Sequence, residues 1–297
     1  MTRHTGSSAT IVLAKPQKSA IDAVIDYLIE TLPVKKVEML SGDKAVDVII
    51  DTDAPQGLQS DIADFMTRKD ILGDVCVAGL EGRKRSLLIC DMDSTLIGQE
   101  CIDELADFAG VKDRVSAITE RAMRGEIDFD GALTERVSLL KGLDLSVLQQ
   151  CFEDRISINT GARTLCQTMK AAGAKTVIVS GGFTFFTGRV AEACGFDSHQ
   201  ANVLLDKNSK LTGTVKMPIL GRQAKLDALN AHTDNAPLSA VAIGDGANDL
   251  AMITAAGLGI AYYAKPAVAA AAHCAINHTD LTTALYFQGY RESDFVQ

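Results

Sequence analysis

The stretch LLICDMDST, residues 87–95, decides the fold. Its first four residues form a continuous apolar run, which is typical of a strand covered on both faces of a parallel sheet. Two similar runs come later, TVIV from Thr176 and AVAI from Ala240, and each follows an amphipathic helical segment. Strands that alternate with helices predict a doubly wound, Rossmann-like α/β sheet over residues 83–297.

Two insertions interrupt this α/β pattern. Residues from about 99 to 157 show helical periodicity broken at Gly125 and Gly142, with no strand signal, which predicts an inserted helical cap. Residues 202–216 predict a β-hairpin that turns at Lys207-Asn208-Ser209.

The first 82 residues predict a separate domain. Their order of strand, helix, strand, strand, helix and strand is typical of an α+β ferredoxin-like domain and resembles amino-acid-binding regulatory domains of the ACT type. We expect it to serve dimerisation or structure, and amino-acid sensing is the alternative. The charged stretch Glu81–Arg85 that follows is interpreted as a solvated linker rather than a basic recognition patch.

Composition excludes several classes of function. The net charge is −9, so a nucleic acid or an anionic membrane is not an expected partner. The seven cysteines are scattered without CxxC pairs, which predicts buried free thiols in a reducing compartment. No secretory signal and no membrane span is visible, and we therefore expect a cytoplasmic protein.

Polar residues follow each of the three apolar runs. Asp91-Met92-Asp93-Ser94-Thr95 follows the first, Ser180-Gly181-Gly182 the second and Asp245-Gly246-Ala247-Asn248-Asp249 the third. Ligands of open α/β sheets bind at the carboxyl ends of the strands, where these residues are expected to meet. Clustered carboxylates stay ionised beside a compensating cation, and oxygen ligands of this kind suit Mg²⁺.

Other catalytic signatures are absent from the sequence. It contains no GxxxxGK[ST] loop, no GxGxxG after a first strand and no HExxH, and its five histidines are scattered singly. What remains is a carboxylate nucleophile that attacks a metal-held phosphoryl group.

The motifs DMDST, SGG, a downstream lysine and GDGAND, in this order, resemble those of the haloacid dehalogenase superfamily of phosphohydrolases. Within it the sequence is similar to the phosphoserine phosphatase family from Ser86 to about Tyr290. The cap contributes Glu100, the stretch Ala122–Gly125, Phe129 and the stretch Arg136–Leu140 to this resemblance.

The resemblance implies a role for each motif residue. Asp91 would be the nucleophile that forms an aspartyl-phosphate, and Asp93 would be the general acid and then the base. Asp91, the backbone carbonyl of Asp93 and Asp245 would hold Mg²⁺. Another set of residues is expected to bind the phosphoryl group or to position the groups that bind it. These residues are Ser180, Gly181, Lys225, Asn248 and Asp249. For Lys225, the nearby Arg222 and a solvated lysine on a helix face are the alternatives.

The resemblance also implies phosphoserine as the substrate and the last step of serine biosynthesis as the reaction. Glu100 would bind the ammonium group and Arg136 the carboxylate. Met123 and Phe129 would supply apolar lid surface, with ordinary packing in the cap as the alternative. A phosphatase or phosphotransferase for another small phosphomonoester is the alternative enzyme. A phospho-accepting receiver is disfavoured because such a domain would lack the cap.

Overall fold

The computed structural model describes residues 6–51 and 53–297. The N-terminal part contains the predicted order of elements around a four-stranded antiparallel sheet with strand order β2-β3-β1-β4. Its elements are β1 (Ser7–Leu13), α1 (Lys18–Thr31), β2 (Val34–Ser41), β3 (Ala45–Ile50), α2 (Leu58–Arg68) and β4 (Gly73–Gly79). Both helices bury their apolar residues against this sheet, and the cluster is separate from the larger core.

The rest of the chain is built on a parallel sheet with strand order β12-β11-β10-β5-β6-β7. Its strands are β5 (Leu87–Cys90), β6 (Lys175–Phe183), β7 (Ser198–Asn202), β10 (Ala240–Gly244), β11 (Leu258–Tyr262) and β12 (Cys274–Ile276). The three apolar runs are β5, β6 and β10, which are neighbours in the sheet and are buried along those runs. The predicted parallel α/β core is therefore confirmed.

Helices cover the parallel sheet. They are α7 (Ala162–Ala171), α8 (Thr184–Cys194), α9 (Arg222–His232), α10 (Leu250–Ala255), α11 (Pro266–Ala271) and α12 (Thr283–Phe287), with short 3₁₀ turns at Pro237–Ser239 and Glu292–Asp294. All seven cysteines are buried free thiols, as predicted.

The insertion after β5 is helical, as expected. Its helices are α3 (Cys101–Phe108), α4 (Lys112–Met123), α5 (Phe129–Ser138) and α6 (Ser146–Arg155). The chain enters and leaves this cap side by side, since Ile97 and Ile158 form an antiparallel bridge. The hairpin is formed by β8 (Leu204–Lys207) and β9 (Lys210–Val215). Its turn residues Asn208 and Ser209 both have positive φ, the conformation that a two-residue hairpin turn requires.

The interpretation of Glu81–Arg85 as a solvated linker is wrong for its arginines. The Arg83 side chain is 10% exposed and pairs with Asp47 of β3 at 2.5 Å. Its guanidinium also donates to Thr10 and to the carbonyl of Phe287. Arg85 donates to the carbonyls of Leu238 and Gly257. The charges face inward because the groups that satisfy them lie on the N-terminal sheet and on helix and loop segments of the core, the two parts that this segment joins.

Candidate active site

The carboxyl ends of β5, β6 and β10 bring the predicted polar residues to one edge of the sheet. Asp91 directly follows β5, Ser180 lies in the last part of β6, and Asp245 directly follows β10. Because β5 lies between β10 and β6 in a parallel arrangement, residues that are 65 or more positions apart in sequence become neighbours. The backbone N–H of Asp91 donates to the carbonyl of Ile243, which fixes the register at this edge.

Lys225 lies at the centre of the polar cluster. It comes from α9 and is fully buried, with its ammonium 2.8 Å from Asp91 Oδ2 and 2.5 Å from Asp249 Oδ1. Burial lowers the pKa of Lys225, but the charges of Asp249 and Asp91 outweigh it and raise the pKa above its usual range. The lysine is therefore a fixed cation, and the alternative of a solvated helix-face lysine is wrong. Arg222, the other alternative, is exposed.

Asp91 belongs to a crowded carboxylate group. Its Oδ1 accepts the backbone N–H of Met92 at 2.7 Å, while Oδ2 faces Lys225. Burial and the charge of Asp249 raise the pKa of Asp91 well above its usual range, against the opposing effect of Lys225. Burial, followed by the charge of Asp249, also raises the pKa of Asp245 to about 6. One lysine does not neutralise three neighbouring acids, so the group favours a further cation.

The geometry of these acids suits a metal ion. Carboxylate oxygens of Asp91, Asp245 and Asp249 all lie within 4.8 Å of one another. Oxygen-only donors of this kind match hard divalent cations. Asp249 thus joins the set of possible ligands, whereas the resemblance assigned it only a positioning role. Thr95, which the sequence reasoning did not assign, is fully buried and donates to Asp245 at 3.3 Å.

The side chain of Asp93 has different partners from that of Asp91. Its Oδ1 accepts the backbone N–H of Cys101, the first residue of cap helix α3, at 3.0 Å. Its Oδ2 lies 3.5 Å from the hydroxyl of Ser180. Burial raises the pKa of Asp93, while the Cys101 contacts, Lys225 and Ser180 oppose the shift. The two aspartates of the DMD motif therefore occupy different environments, one beside the lysine and one at the base of the cap.

The SGG segment is held close to both aspartates. Ser180 Oγ accepts the N–H of Gly182 at 2.9 Å. A β carbon at position 182 would lie 2.4 Å from Asp93 Oδ2, so a larger residue there would displace the Asp93 carboxylate. The carbonyl of Gly181 accepts the side-chain amide of Asn202 at 2.8 Å. Asn202 is buried and also binds Leu220, and the sequence reasoning missed it because no local pattern marks this pairing.

Glu100 and Arg136 reach the site from the cap. Ser94 donates to Glu100 Oε1 at 2.7 Å, and burial with the charge of Asp93 raises the pKa of Glu100 to about 7. Burial lowers the pKa of Arg136, while the charges of Asp103, Glu100 and Asp93 oppose that shift. Asp103 of α3, an acid that the sequence reasoning did not assign, is the strongest of these opposing charges. The cap thus presents a cation and an acid to the Asp93 side of the site.

Phe129 and Met123 have different surroundings. The Phe129 ring packs against Gly181 and Gly221 of the core, and a β carbon at position 181 would lie 3.0 Å from the ring. Met123 is 67% exposed, with its sulfur 4.0 Å from Lys265 Nζ. Packing of Met123 inside the cap is therefore wrong, and Phe129 provides the cap contact with the SGG segment.

Asn248 and Asp249 also differ in the contacts that their side chains make. The contact with Lys225 is made by Asp249, whose Oδ2 in addition accepts the N–H of Gly246 at 3.0 Å. None of the hydrogen bonds found over residues 6–51 and 53–297 joins Asn248 to Lys225. Asn248 is half-buried at the turn that follows Asp245, and its Oδ1 would meet a β carbon at position 246.

Comparison with known proteins identifies the family. A family model described as haloacid dehalogenase-like hydrolase matches residues 88–254, and a second model with the same description matches residues 223–286. A phosphoserine phosphatase of Saccharomyces cerevisiae is 35% identical over 93% of this chain and 93% of its own length. The chain belongs to the haloacid dehalogenase-like hydrolases, in the phosphoserine phosphatase family.

Two further similarities place this haloacid dehalogenase-like hydrolase among its relatives. A phosphoserine phosphatase of Streptomyces coelicolor is 47% identical over 72% of this chain, and the chain spans about half the length of that relative (53%). The unliganded structure of a probable phosphoserine phosphatase from Vibrio cholerae superposes with a TM-score of 0.75 at 30% identity, covering 96% of this chain and 86% of that one. No helix within residues 6–51 and 53–297 is long and apolar enough to span a membrane.

Proposed function

We propose that this hydrolase converts O-phosphoserine into serine and phosphate through an aspartyl-phosphate on Asp91, the last step of serine biosynthesis. The observation that carries the proposal is the separation of the two aspartates of the DMD motif. Asp91 lies beside the buried Lys225, whereas Asp93 lies at the base of a cap that presents Glu100 and Arg136. A nucleophile and a proton carrier need such different environments.

In the first step, an Asp91 oxygen forms a bond to phosphorus while the bond from phosphorus to the seryl oxygen breaks. Asp93 gives a proton to the leaving oxygen, a role that the raised pKa of this buried carboxyl group favours. In the second step, Asp93 accepts a proton from water as that water attacks phosphorus. The phosphate leaves, Asp91 regains its carboxylate and Asp93 is protonated again, so the cycle balances.

Mg²⁺ is the proposed metal, and Asp91, Asp245 and Asp249, together with the backbone carbonyl of Asp93, would hold it. When bound, it would neutralise charge on the phosphoryl oxygens. Ser180, the N–H of Gly181 and Lys225 supply the remaining positive and hydrogen-bonding groups. The Ser180 hydroxyl oxygen already accepts from Gly182, so its proton is directed outward, either toward Asp93 or toward a phosphoryl oxygen.

In this proposal, the cap selects the substrate. Glu100 would bind the ammonium group of phosphoserine and Arg136 its carboxylate, the pairing that charge-assisted hydrogen bonds favour. Phe129 would close over the phosphoryl site, because it already packs against Gly181. Met123, at the exposed end of α4, would complete the lid near Lys265. Asn248 would position the turn that carries Asp245.

A phosphate-release assay over a panel of phosphomonoesters tests the function. With Mg²⁺ present, we expect phosphoserine to be hydrolysed in preference to simple aryl phosphates, and an Asp91→Asn variant to be inactive on all of them. Addition of alcohols to the assay reveals phosphotransfer. Equal turnover of all monoesters, or transfer to alcohols in preference to water, would support the other phosphatase or phosphotransferase instead.

We also propose that residues 1–82 form a ferredoxin-like, ACT-like domain and that residues 83–297 form the catalytic unit with its cap at about 99–157. The element order and the antiparallel sheet support this division. A homodimer through the N-terminal domain remains a prediction, for which β2, at one edge of its sheet, is an available surface. Light scattering at a range of protein concentrations tests it.

A further inference from the structure

Asn202 is a buried amide side chain that joins the SGG segment (residues 180–182) to the loop before α9, the helix that carries Lys225. It is the last residue of β7, and its Nδ2 donates to the carbonyls of Gly181 at 2.8 Å and Leu220 at 3.2 Å. Its Oδ1 accepts the N–H of Leu220 at 2.7 Å. Both donors and the acceptor of the amide are therefore occupied by backbone groups of two separate segments.

The SGG segment needs such a partner because it interrupts the ladder between β6 and β7. Val179 pairs with Gln200, and the next pair along the strands is Phe183 with Asn202. Three residues of β6 therefore face a single residue of β7, which makes this part of β6 a bulge. Bulges next to active sites direct chemical groups away from the regular pairing of a sheet. The Asn202 side chain holds the carbonyl of Gly181 within this bulge.

One peptide group connects Asn202 to Ser180. The carbonyl of the peptide between Gly181 and Gly182 accepts from Asn202, and the N–H of the same peptide donates to Ser180 Oγ at 2.9 Å. Because a peptide group is planar, a fixed carbonyl also fixes the direction of its N–H. We propose that Asn202 is a positioning residue of the phosphoryl-binding site, which sets the direction of the Ser180 hydroxyl through this peptide group.

The contacts of Asn202 with Leu220 extend this role to Lys225. Leu220 is bound through both its N–H and its carbonyl, and it lies two residues before α9 begins at Arg222. Lys225 lies in the first turns of that helix and is fully buried. Asn202 thus fixes the start of α9 relative to the SGG segment, so that the hydroxyl of Ser180 and the ammonium of Lys225 keep a constant spacing.

The cap rests on the same two segments. A β carbon at position 181 would lie 3.0 Å from the ring of Phe129, and a β carbon at position 221 would lie 3.2 Å from it. The ring of this cap residue therefore packs across the junction that Asn202 holds together. A change in the spacing of the two segments would alter the seat of the cap as well as the phosphoryl-binding groups.

The role of Asn202 rests on one part of the proposed function, namely that Ser180 and Lys225 bind the phosphoryl group. Every phosphomonoester carries that group. Loss of the Asn202 amide should therefore lower the turnover of phosphoserine and of an aryl phosphate by the same factor. Groups that are aimed wrongly stabilise the transition state less, so we expect the loss to fall on kcat and KM to change little.

Asn202→Asp is the test variant, because it keeps an oxygen that accepts from Leu220 and replaces the donor with an oxygen that faces two carbonyls. We expect kcat to fall by about 10–10²-fold on both substrates, since the phosphoryl-binding groups are displaced rather than removed. Orthovanadate, a mimic of the five-coordinate transition state, should inhibit hydrolysis of the aryl phosphate at least about tenfold less strongly. The affinity for inorganic phosphate should change much less.

Two further variants separate positioning from stability. Asn202→Ser, which is smaller and uncharged, removes the same contacts without a buried carboxylate and should lose kcat in the same way. Gln288→Leu is the matched control, because Gln288 is also a buried amide with backbone partners, at Arg85 and Ala284, beyond the opposite end of β5. This control should lower the melting temperature and leave kcat and inhibition by vanadate unchanged.

All kinetic measurements are made below the melting temperature of each variant. Wild-type kcat and vanadate inhibition in either Asn202 variant, or an equal loss of kcat in Gln288→Leu, overturns the proposal. If phosphoserine is not preferred over the aryl phosphate but both substrates lose turnover equally in the Asn202 variants, the proposed function fails and the role of Asn202 stands.

Discussion

The ammonium of Lys225 lies 2.8 Å from the carboxylate of Asp91, and neither group is open to solvent. Asp249 holds the lysine from its other side. The proposed nucleophile is thereby kept beside a permanent positive charge whose own position is fixed. Two acids share this one cation, so removal of the lysine has consequences for both.

The first prediction concerns this lysine. Lys225→Met should lower kcat for phosphoserine by about 10³-fold, because a buried cation aimed at the phosphoryl group is lost. Steady-state kinetics of the purified variant measure the effect. Arg222→Met, at the exposed cation three residues earlier, is the matched control and should retain activity. The reverse result would assign the phosphate-binding role to Arg222.

The second prediction concerns the nucleophile. Asp91→Asn should abolish turnover and the acid-stable phosphorylated enzyme, since an amide does not attack phosphorus as a carboxylate does. Mass spectrometry of acid-quenched reactions detects the phosphorylated chain. The melting temperature should not fall, because the substitution removes one of the mutually repelling acids. Asp61→Asn, at an exposed acid, is the control, and retained turnover in Asp91→Asn would contradict the covalent mechanism.

The third prediction separates substrate recognition from cap structure. Arg136→Ala should lower kcat/KM for phosphoserine by at least about tenfold, whereas an aryl phosphate without a carboxylate should be much less affected. The comparison of the two substrates is the measurement. Arg121→Ala, at a partly exposed arginine of the cap that pairs with Glu135, should change neither. Equal losses on both substrates would show that Arg136 acts through the structure of the cap.

The fourth prediction is a pH dependence that arises from Glu100. Its pKa is raised to about 7, so the ionised form that binds an ammonium group is lost as the pH falls through 7. We expect kcat/KM for phosphoserine to fall by about tenfold per pH unit below 7 relative to kcat/KM for an aryl phosphate. In Glu100→Gln this relative fall should disappear. A pH profile that is the same for both substrates in the wild type would rule out this role of Glu100.

The fifth prediction concerns the buried ion pair between Arg83 and Asp47 of the N-terminal sheet. Arg83→Ala leaves the buried carboxylate of Asp47 without its cation and should lower the free energy of unfolding by about 3–5 kcal/mol. The double variant Arg83→Met with Asp47→Leu should recover much of that loss. Denaturant unfolding measures both, and Arg68→Ala, at an exposed arginine of α2, should change stability little. An equally large loss of unfolding free energy in Arg68→Ala would show that the pair of Arg83 and Asp47 has no special role in stability.

The sequence predicted the parts of this protein that depend on local patterns. The continuous apolar runs identified β5, β6 and β10, and the polar hairpin turn was placed at the residues that have positive φ. Helix α10 begins only at Leu250 and covers Leu250–Ala255. Residues 248 and 249 are held in the turn after β10, where Asp249 accepts the N–H of Gly246 and binds Lys225.

The positions of the motifs also predicted the edge of the sheet at which the polar residues lie, because the carboxyl ends of neighbouring parallel strands meet at one edge. No local pattern indicated that Asn202 holds the carbonyl of Gly181, or that Thr95 contacts Asp245. These contacts join residues that are 21 and 150 positions apart. Their existence depends on the order of the strands in the parallel sheet, which places β7 beside β6 and β10 beside β5.

The sequence by itself determined the class of fold, the helical cap and the identity of the acids at the edge of the sheet, because hydrophobic periodicity and motif spacing are local properties. Only the tertiary structure decided that Lys225 is buried between Asp91 and Asp249 and that Arg83 pairs with Asp47. Burial and charge pairing depend on which distant segments become neighbours. The sequence alone does not distinguish a charged residue that faces water from one that faces a buried partner.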